Sequence, residues 1–371
     1  MGNYNLTSAQ LSVALAKRDL SNPDEGAHAV NIVVEHIGQA LTQAWSITPE
    51  IHRRLPIVTV SENYDRLYYP ADAPARSERY ARYLGHGLML RTQMTSSIPE
   101  LLSQIRGEQV ERVLLCTGMV YRRDCVDRNH VGEPHQLDAW RITDGRRLGD
   151  SDLKDMIACL VEALLPSRCW RIQAAEHHYT TGGLEVEAEI DGRWLEILEC
   201  GLIHPRLLID AGLEPDRWSG LAMGIGLDRM VMLIKGLDDI RLLRSTNAQV
   251  ARQMDNLSPW QAVSKYQATT RDLSIAIHSG AELEEIGDRL RLALGDEAEL
   301  IEDVSLLGRH PAPSLPQKAR ERLGLRADQE NLLLRIVLRS IDGEIDREAG
   351  NGIYDRVYTA LHEGEAAGYS R

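Results

Sequence analysis

VYRRDCVDRNHVGEPHQLDAW, residues 120–140, decides how the rest of the chain is read. The apolar run VLLCTGMVY (113–121) leads into it and LDAWRI (137–142) leads out, so two strands joined by a long polar loop are expected. The segment gathers Arg122, Arg123, Asp124, Asp127, His130, His135, Gln136 and Asp138. An Arg in such a loop can grip a phosphate through two parallel N–H donors, and a His can meet a base or the outer phosphates. Composition by itself is equally compatible with a salt-bridged surface hairpin.

Two further stretches carry chemistry. In GLAMGIGLDRMVML (220–233), Gly224 and Gly226 allow the backbone to approach a flat ligand, and Arg229 projects from a helix start. A structural Arg at a glycine-rich joint is the plainer alternative. In WLEIL (194–198), Glu196 interrupts an apolar strand, either at an edge or as an oxygen ligand for a hard cation such as Mg²⁺.

Outward from these, periodicity predicts an amphipathic helix over 5–20, opened by Thr7-Ser8 with Leu11, Val13, Leu15 and Ala16 as its apolar residues. Further helices are expected over 28–45 and over 151–165, the latter with Ser151 as its N-cap. A hairpin over 184–198 turns at Asp191-Gly192. Pro259 lies in a polar connector that marks a domain boundary. Beyond it, strand (269–277), helix (281–294), two strands (299–308 and 331–340) and helix (351–362) follow the β-α-β-β-α order of a ferredoxin-like unit. A weak final strand near 366–371 would complete it.

Composition narrows the class. The 371 residues are 43% hydrophobic and 26% charged, which excludes collagen-like, fibrous and disordered chains. A net charge of −13 argues against a generally basic nucleic-acid coat but leaves room for one local basic face. No apolar run approaches the roughly 20 residues that a bilayer requires, and the first residues show no basic-then-apolar leader pattern. Five Cys without a CxxC pair argue against a zinc ribbon and suit free thiols in a reducing cytoplasm. There are twelve Tyr and six Trp but no Phe, where ordinary usage gives on the order of ten to fifteen. Cores exchange Leu, Met and Phe freely, so the gap points to a constraint on translation and not on folding.

Taken in order, these pieces resemble the class II aminoacyl-tRNA synthetases, and among them the phenylalanyl-tRNA synthetase family. VYRRDCVDRNH looks like motif 2 and GIGLDR like motif 3; NYDRLYYPADAPAR (63–76), WLEILECG (194–201), LDDIRLL (237–243) and YQATTRDLS (266–274) are further signatures. The resemblance implies an α+β fold, an antiparallel sheet flanked by helices and followed by a ferredoxin-like anticodon-binding domain. It implies an N-terminal helical extension (1–27), a catalytic domain (28–258) and a tail (262–371) on one chain, similar to the single-chain, organellar-type enzyme. The implied ligands are ATP and Mg²⁺, the implied partners an amino acid and tRNA (tRNA-Phe). A cytoplasmic monomer or homodimer with no membrane attachment is expected. Carried over by position, Arg122 and Arg229 are the catalytic arginines, and Asp124, His130 and Glu196 complete the ATP site, Glu196 also as metal ligand.

The amino-acid pocket departs from the family pattern. HQLD (135–138) keeps Gln136 and Asp138 for the substrate ammonium. In LRTQMTS (90–96), Gln93 and Thr95 stand where the family shows His and Ser. In HHYTTGG (177–183), His177 and Tyr179 replace two Phe, while Ala222 keeps the small residue that leaves space for a phenyl ring. Pro134, Leu221, Met223, Leu243, Val250 and Met254 also stand where the family often has Phe, so a ban on Phe throughout the chain and a pocket tuned to a more polar aromatic both remain open. The functions in view are a backup or resistance phenylalanyl-tRNA synthetase, an enzyme activating a non-standard amino acid for a biosynthetic pathway, and a non-catalytic RNA-binding paralogue.

Overall fold

A computed structural model describes residues 5–105, 111–123, 127–190, 192–262, 266–341 and 343–366. It has two compact units that interleave along the chain. The first runs to residue 122 and adds 133–237 and 253–260; the second gathers 123–132, 238–252 and 261–371.

The first unit is built on a seven-stranded sheet. Its order is Glu50–His52, Glu111–Met119, His135–Asp144, Trp218–Gly226, Arg193–Ile203, Thr180–Ile190 and Trp170–Ala174. Only the first pair is parallel; every other pairing is antiparallel. The central strands are buried almost throughout, His135–Asp144 included, although it carries His135, Asp138, Arg141 and Thr143 into the interior. Helices Ala29–Trp45 and Asp150–Leu164 pack together, burying Val30, Val33, Val34, Ile37 and Leu41 of one and Leu153, Met156, Ile157, Leu160 and Val161 of the other. A separate core joins Trp140, Ile142, Met94, Ile98 and Leu102. The α+β class expected from the sequence is the class observed.

Local details differ from the sequence reading. Helix Asp150–Leu164 is capped by Gly149, not by Ser151. The Asp152 carboxylate reaches back to accept the Gly149 N–H at 2.9 Å, so the helix starts one residue before the hydroxyl can act. The first helix is shorter than expected, Ser8–Leu15, although Thr7 does cap it. It buries only Ala14, with Val13 and Leu15 exposed. Steps of two residues turn a helix by about 200°, so Leu11, Val13 and Leu15 cannot share one face.

The second unit is a three-stranded antiparallel sheet, with Gln329–Leu338 between Thr269–His278 and Ile301–Pro311. Helices Leu283–Leu294 and Arg347–Leu361 close its core through Ile286, Leu290, Ile353, Tyr354 and Val357. The order β-α-β-β-α matches the sequence reading, with a short helix Gln317–Leu323 added before the third strand. Ala366 is not in a strand, and the rest of the expected final strand lies outside the described residues, as does Asp191 of the hairpin turn. Segment 123–132 sits in this unit: Arg123 pairs with Asp288 at 2.9 Å, and the Arg128 N–H donates to the Glu302 carbonyl at 2.7 Å.

One contact tests the packing of the main sheet. A Cβ on Gly220 would fall 2.4 Å from Ile203 Cδ1 and 2.5 Å from the Arg141 carbonyl oxygen. Gly220→Ala is expected to cost about 1–3 kcal/mol by overpacking. Thermal melting should show a Tm lower by roughly 2–10 °C.

Candidate active site

Backbone register assembles the site. Asp138 lies opposite Gly224, and Gly224 opposite Glu199; one step along, Trp140 lies opposite Ala222, and Ala222 opposite Gly201. Paired residues project from the same face of a sheet. The small residues leave a narrow cleft bounded by Asp138, Trp140, His177, Tyr179 and Met223.

At its base Asp138 is buried. Thr95 Oγ1 donates to its carboxylate at 2.6 Å and Trp140 Nε1 at 3.4 Å. Burial dominates over these bonds, and with the nearby Glu199 charge it pushes the carboxyl up to about 6. The Tyr179 ring stacks on Trp140 with centroids 6.1 Å apart, and burial raises its phenol well above the ordinary value. His177 Nε2 lies 3.4 Å from a Glu199 carboxylate oxygen and holds that group below the usual range. Behind this wall, Tyr69 Oη donates to Gln93 Oε1 at 3.1 Å, and Gln93 Nε2 donates to the Asn63 carbonyl at 2.9 Å. Gln136 Oε1 accepts the Met94 N–H at 3.3 Å.

The two arginines follow strands Glu111–Met119 and Trp218–Gly226, which flank His135–Asp144 in the sheet. Arg122 Nε donates to the Thr92 carbonyl at 2.9 Å, which holds the side chain at the 90–96 stretch. Arg229 follows the Gly226 cap of helix Leu227–Lys235 and donates to the Glu196 carbonyl at 3.0 Å. Burial and the Glu199 charge raise the Glu196 carboxyl, while Arg229 and Arg122 both oppose the shift. Two guanidinium groups thus act on one carboxylate beside the cleft. Apart from its chain neighbours, no atom of the described residues lies within 4 Å of where a Cβ on Gly226 would stand, so the backbone there is open to a ligand.

The structure therefore brings together Asp138, His177, Tyr179 and Ala222 in the cleft, with Thr95 bonded to Asp138 and Arg122, Glu196 and Arg229 nearby. His130 lies in the second unit, where Asp127 pairs with it at 2.9 Å. Asp124 lies outside the described residues. Among the described residues no cluster of three or more His, Cys, Asp or Glu could hold a metal ion. Glu196 and Glu199 fit Mg²⁺ only in the mode where one or two carboxylates share the ion with phosphate oxygens and water.

Glu199, Trp140 and Tyr69 went unnoticed in the sequence. Simple alternation puts residues 196 and 199 on opposite faces of a strand. The ladder skips a residue here: Leu198 pairs with Val186, but Glu196 pairs with Glu187. That bulge brings both carboxylates to one side. An acid three residues after another in a strand was the available signal, and only the bulge gives it meaning.

A family profile described as "tRNA synthetases class II core domain (F)" matches residues 16–254. Phenylalanine--tRNA ligase alpha subunits resemble the chain. The Prochlorococcus marinus protein is 34% identical over 52% of this chain and 56% of its own length. Those of Nostoc sp. and Nostoc punctiforme are 30% and 32% identical, each over 67% of this chain and 75% of its own length. The chain thus spans little more than half of the Prochlorococcus relative. Pyrrolysyl-tRNA synthetase from Desulfitobacterium hafniense aligns with TM-score 0.46 and 18% identity, over 59% of this chain and 74% of that one. The chain belongs to the phenylalanyl-tRNA synthetase family of class II aminoacyl-tRNA synthetases, a family of ligases. Among the described residues no helix is long and apolar enough to cross a membrane.

The Thr95 bond lowers the Asp138 carboxyl against burial. Thr95→Val removes the donor and keeps the volume, so the Asp138 midpoint should move above about 6. Carbon-detected NMR titration of the side-chain carboxyl reads that shift; an unmoved or lowered midpoint contradicts the assignment.

Proposed function

We propose that this chain activates an aromatic amino acid with ATP and transfers the acyl group to tRNA. The observation that carries the proposal is an aromatic-walled cleft with Asp138 on one side, Arg229 bonded to the Glu196 carbonyl and Arg122 bonded to the Thr92 carbonyl. In the first step a substrate carboxylate oxygen attacks the α-phosphorus, and the bond to the bridging oxygen breaks to release pyrophosphate. In the second a terminal ribose hydroxyl of tRNA attacks the acyl carbon, and AMP leaves. Neither step needs a protein nucleophile; placement and fixed positive charge supply the catalysis. Arg122 and Arg229 would face the phosphates across the transferred group. Asp138, Gln136 and Thr95 would hold the ammonium, with Gln93 behind them. When bound, Mg²⁺ would neutralise phosphate charge, with Glu196 and Glu199 as its protein ligands.

In this reading residues 1–27 form an N-terminal extension, 28–258 the catalytic domain and 262–371 an anticodon-binding domain, with the whole enzyme on one cytoplasmic chain, monomer or homodimer. The β-α-β-β-α order of the second unit supports the last assignment. Of the basic residues Arg309, Lys318, Arg320 and Arg322 that could form an RNA-facing surface on this unit, Arg309 is already held by Glu330 and the Ala281 carbonyl. Exposed Lys318, Arg320 and Arg322 on helix Gln317–Leu323 are better placed. Phenylalanine and tRNA-Phe are the proposed substrates. A chain with no Phe can be translated when charged tRNA-Phe is scarce, which fits a backup or resistance role. The polar wall of His177 and Tyr179 favours one second reading, a hydroxylated aromatic substrate; a site built to bond a hydroxyl discriminates strongly against analogues without one.

Amino-acid-dependent pyrophosphate exchange tests both readings. Exchange with phenylalanine supports the first, exchange with tyrosine or meta-tyrosine alone the second, and none with any of them refutes the activity. Arg122→Ala should abolish exchange with the far-UV spectrum unchanged; retained exchange removes Arg122 from the mechanism. The Asp138 carboxyl must be ionised to hold an ammonium, and burial raises it to about 6. The kcat/KM for the amino acid should therefore rise with pH through about 6 and then level, because this parameter follows the free enzyme. Asp138→Asn should flatten that limb.

A further inference from the structure

Two polar tracks leave the N-terminal segment and end at the two arginines. On the first, Lys17 Nζ lies 2.5 Å from a Glu133 carboxylate oxygen. The other carboxylate oxygen bonds Arg82, both side chains of that pair being buried. Arg82 then donates to the Arg122 carbonyl at 3.2 Å, beside the bridge that joins Ala81 and Arg122. Burial alone would raise the Glu133 carboxyl, but Arg82 and Lys17 hold it well below the usual range. On the second track, the Leu20 N–H donates to His135 Nε2 at 3.0 Å. An Nε2 that accepts carries no proton, so the ring proton is on Nδ1 and is donated to Asp228, 3.0 Å away. His135 is fully buried and Asp228 nearly so. Asp228 directly precedes Arg229, and the His135 N–H also donates to it.

We propose that residues 17–20 are a clasp that positions the ATP arginines, with Lys17, Glu133 and Arg82 holding Arg122, and Leu20, His135 and Asp228 holding Arg229. These are positioning residues, since each acts through another group. The clasp rests on the reading of Arg122 and Arg229 as phosphate-binding residues. Its physical content is mutual: each track joins a buried charge or ring to a segment distant in sequence, so losing the segment leaves that buried group short of a partner.

The test pairs kinetics with amide hydrogen exchange on the full chain. Lys17 is partly exposed, and Lys17→Ala should fold. In pyrophosphate exchange it should raise KM for ATP about five- to tenfold, a fraction of the roughly hundredfold that an ångström of misplacement can cost. KM for the amino acid should stay unchanged, and Lys17→Arg should restore the ATP value. On the second track, a Gln amide can accept from Leu20 and donate to Asp228, so His135→Gln should behave like the unaltered protein and His135→Leu should not. Faster exchange of the 120–122 amides in Lys17→Ala, and of the 227–230 amides in His135→Leu, is expected without any substrate. An unaltered protein that supports no pyrophosphate exchange refutes the synthetase reading, and hydrogen exchange alone then judges the clasp. Unchanged hydrogen exchange at both segments overturns it. So does an ATP KM that stays fixed, or one that moves together with the amino-acid KM, in an active enzyme.

Discussion

Asp138 stands opposite Gly224, and Gly224 opposite Glu199, across three adjacent strands of the main sheet. The cleft exists because of that register. A slip of one residue would turn each of these side chains to the other face and close the space above the glycine. The register in turn places a carboxyl group in the interior, where its charge is costly unless bonded. Thr95 and Trp140 supply the bonds, and the raised Asp138 value shows that they do not fully offset burial. A carboxylate kept short of full stabilisation is a ready partner for a bound ammonium.

The same sheet explains the two arginines. Arg122 follows the strand before the polar loop, and Arg229 follows the Gly-rich strand on the far side of His135–Asp144. Glu196 lies on the strand beyond. Residues 107 positions apart in sequence thereby act on one carboxylate. The charge balance suits a polyanion: the chain carries −13 overall, yet these two guanidinium groups face acids that a bound cation would share. N-terminal residues and the 90–96 stretch then fix what the sheet leaves loose, through Leu20 on His135 and Arg122 on the Thr92 carbonyl.

Much of this was legible in the sequence. The hairpin over 184–198 and the apolar run 113–121 marked strands that the structure contains. Arg122, Arg229 and Glu196 stood out as residue types, two Arg beside a polar loop and a Gly-rich joint and an acid on an apolar strand, whereas Asp138 and Ala222 were named only through the resemblance to the synthetase family. What failed were features set by geometry that a residue pattern does not encode. Glu199 depended on a bulge, and the start of the 150–164 helix on a carboxylate reaching back to Gly149. The contacts of Arg128 with Glu302 and of Arg123 with Asp288 join residues far apart in the chain, and no local pattern announced them. Sequence neighbours predict strands well and long-range partners poorly.

The central claim is that Arg122 and Arg229 grip the same triphosphate. A double-mutant cycle on ATP affinity, measured by calorimetry on the unaltered chain, Arg122→Ala, Arg229→Ala and the double variant, addresses it most directly. Each single change should weaken ATP, and the two losses should be non-additive by more than about 0.5 kcal/mol, as expected for groups acting on one ligand. ATP affinity untouched by either substitution would contradict the account.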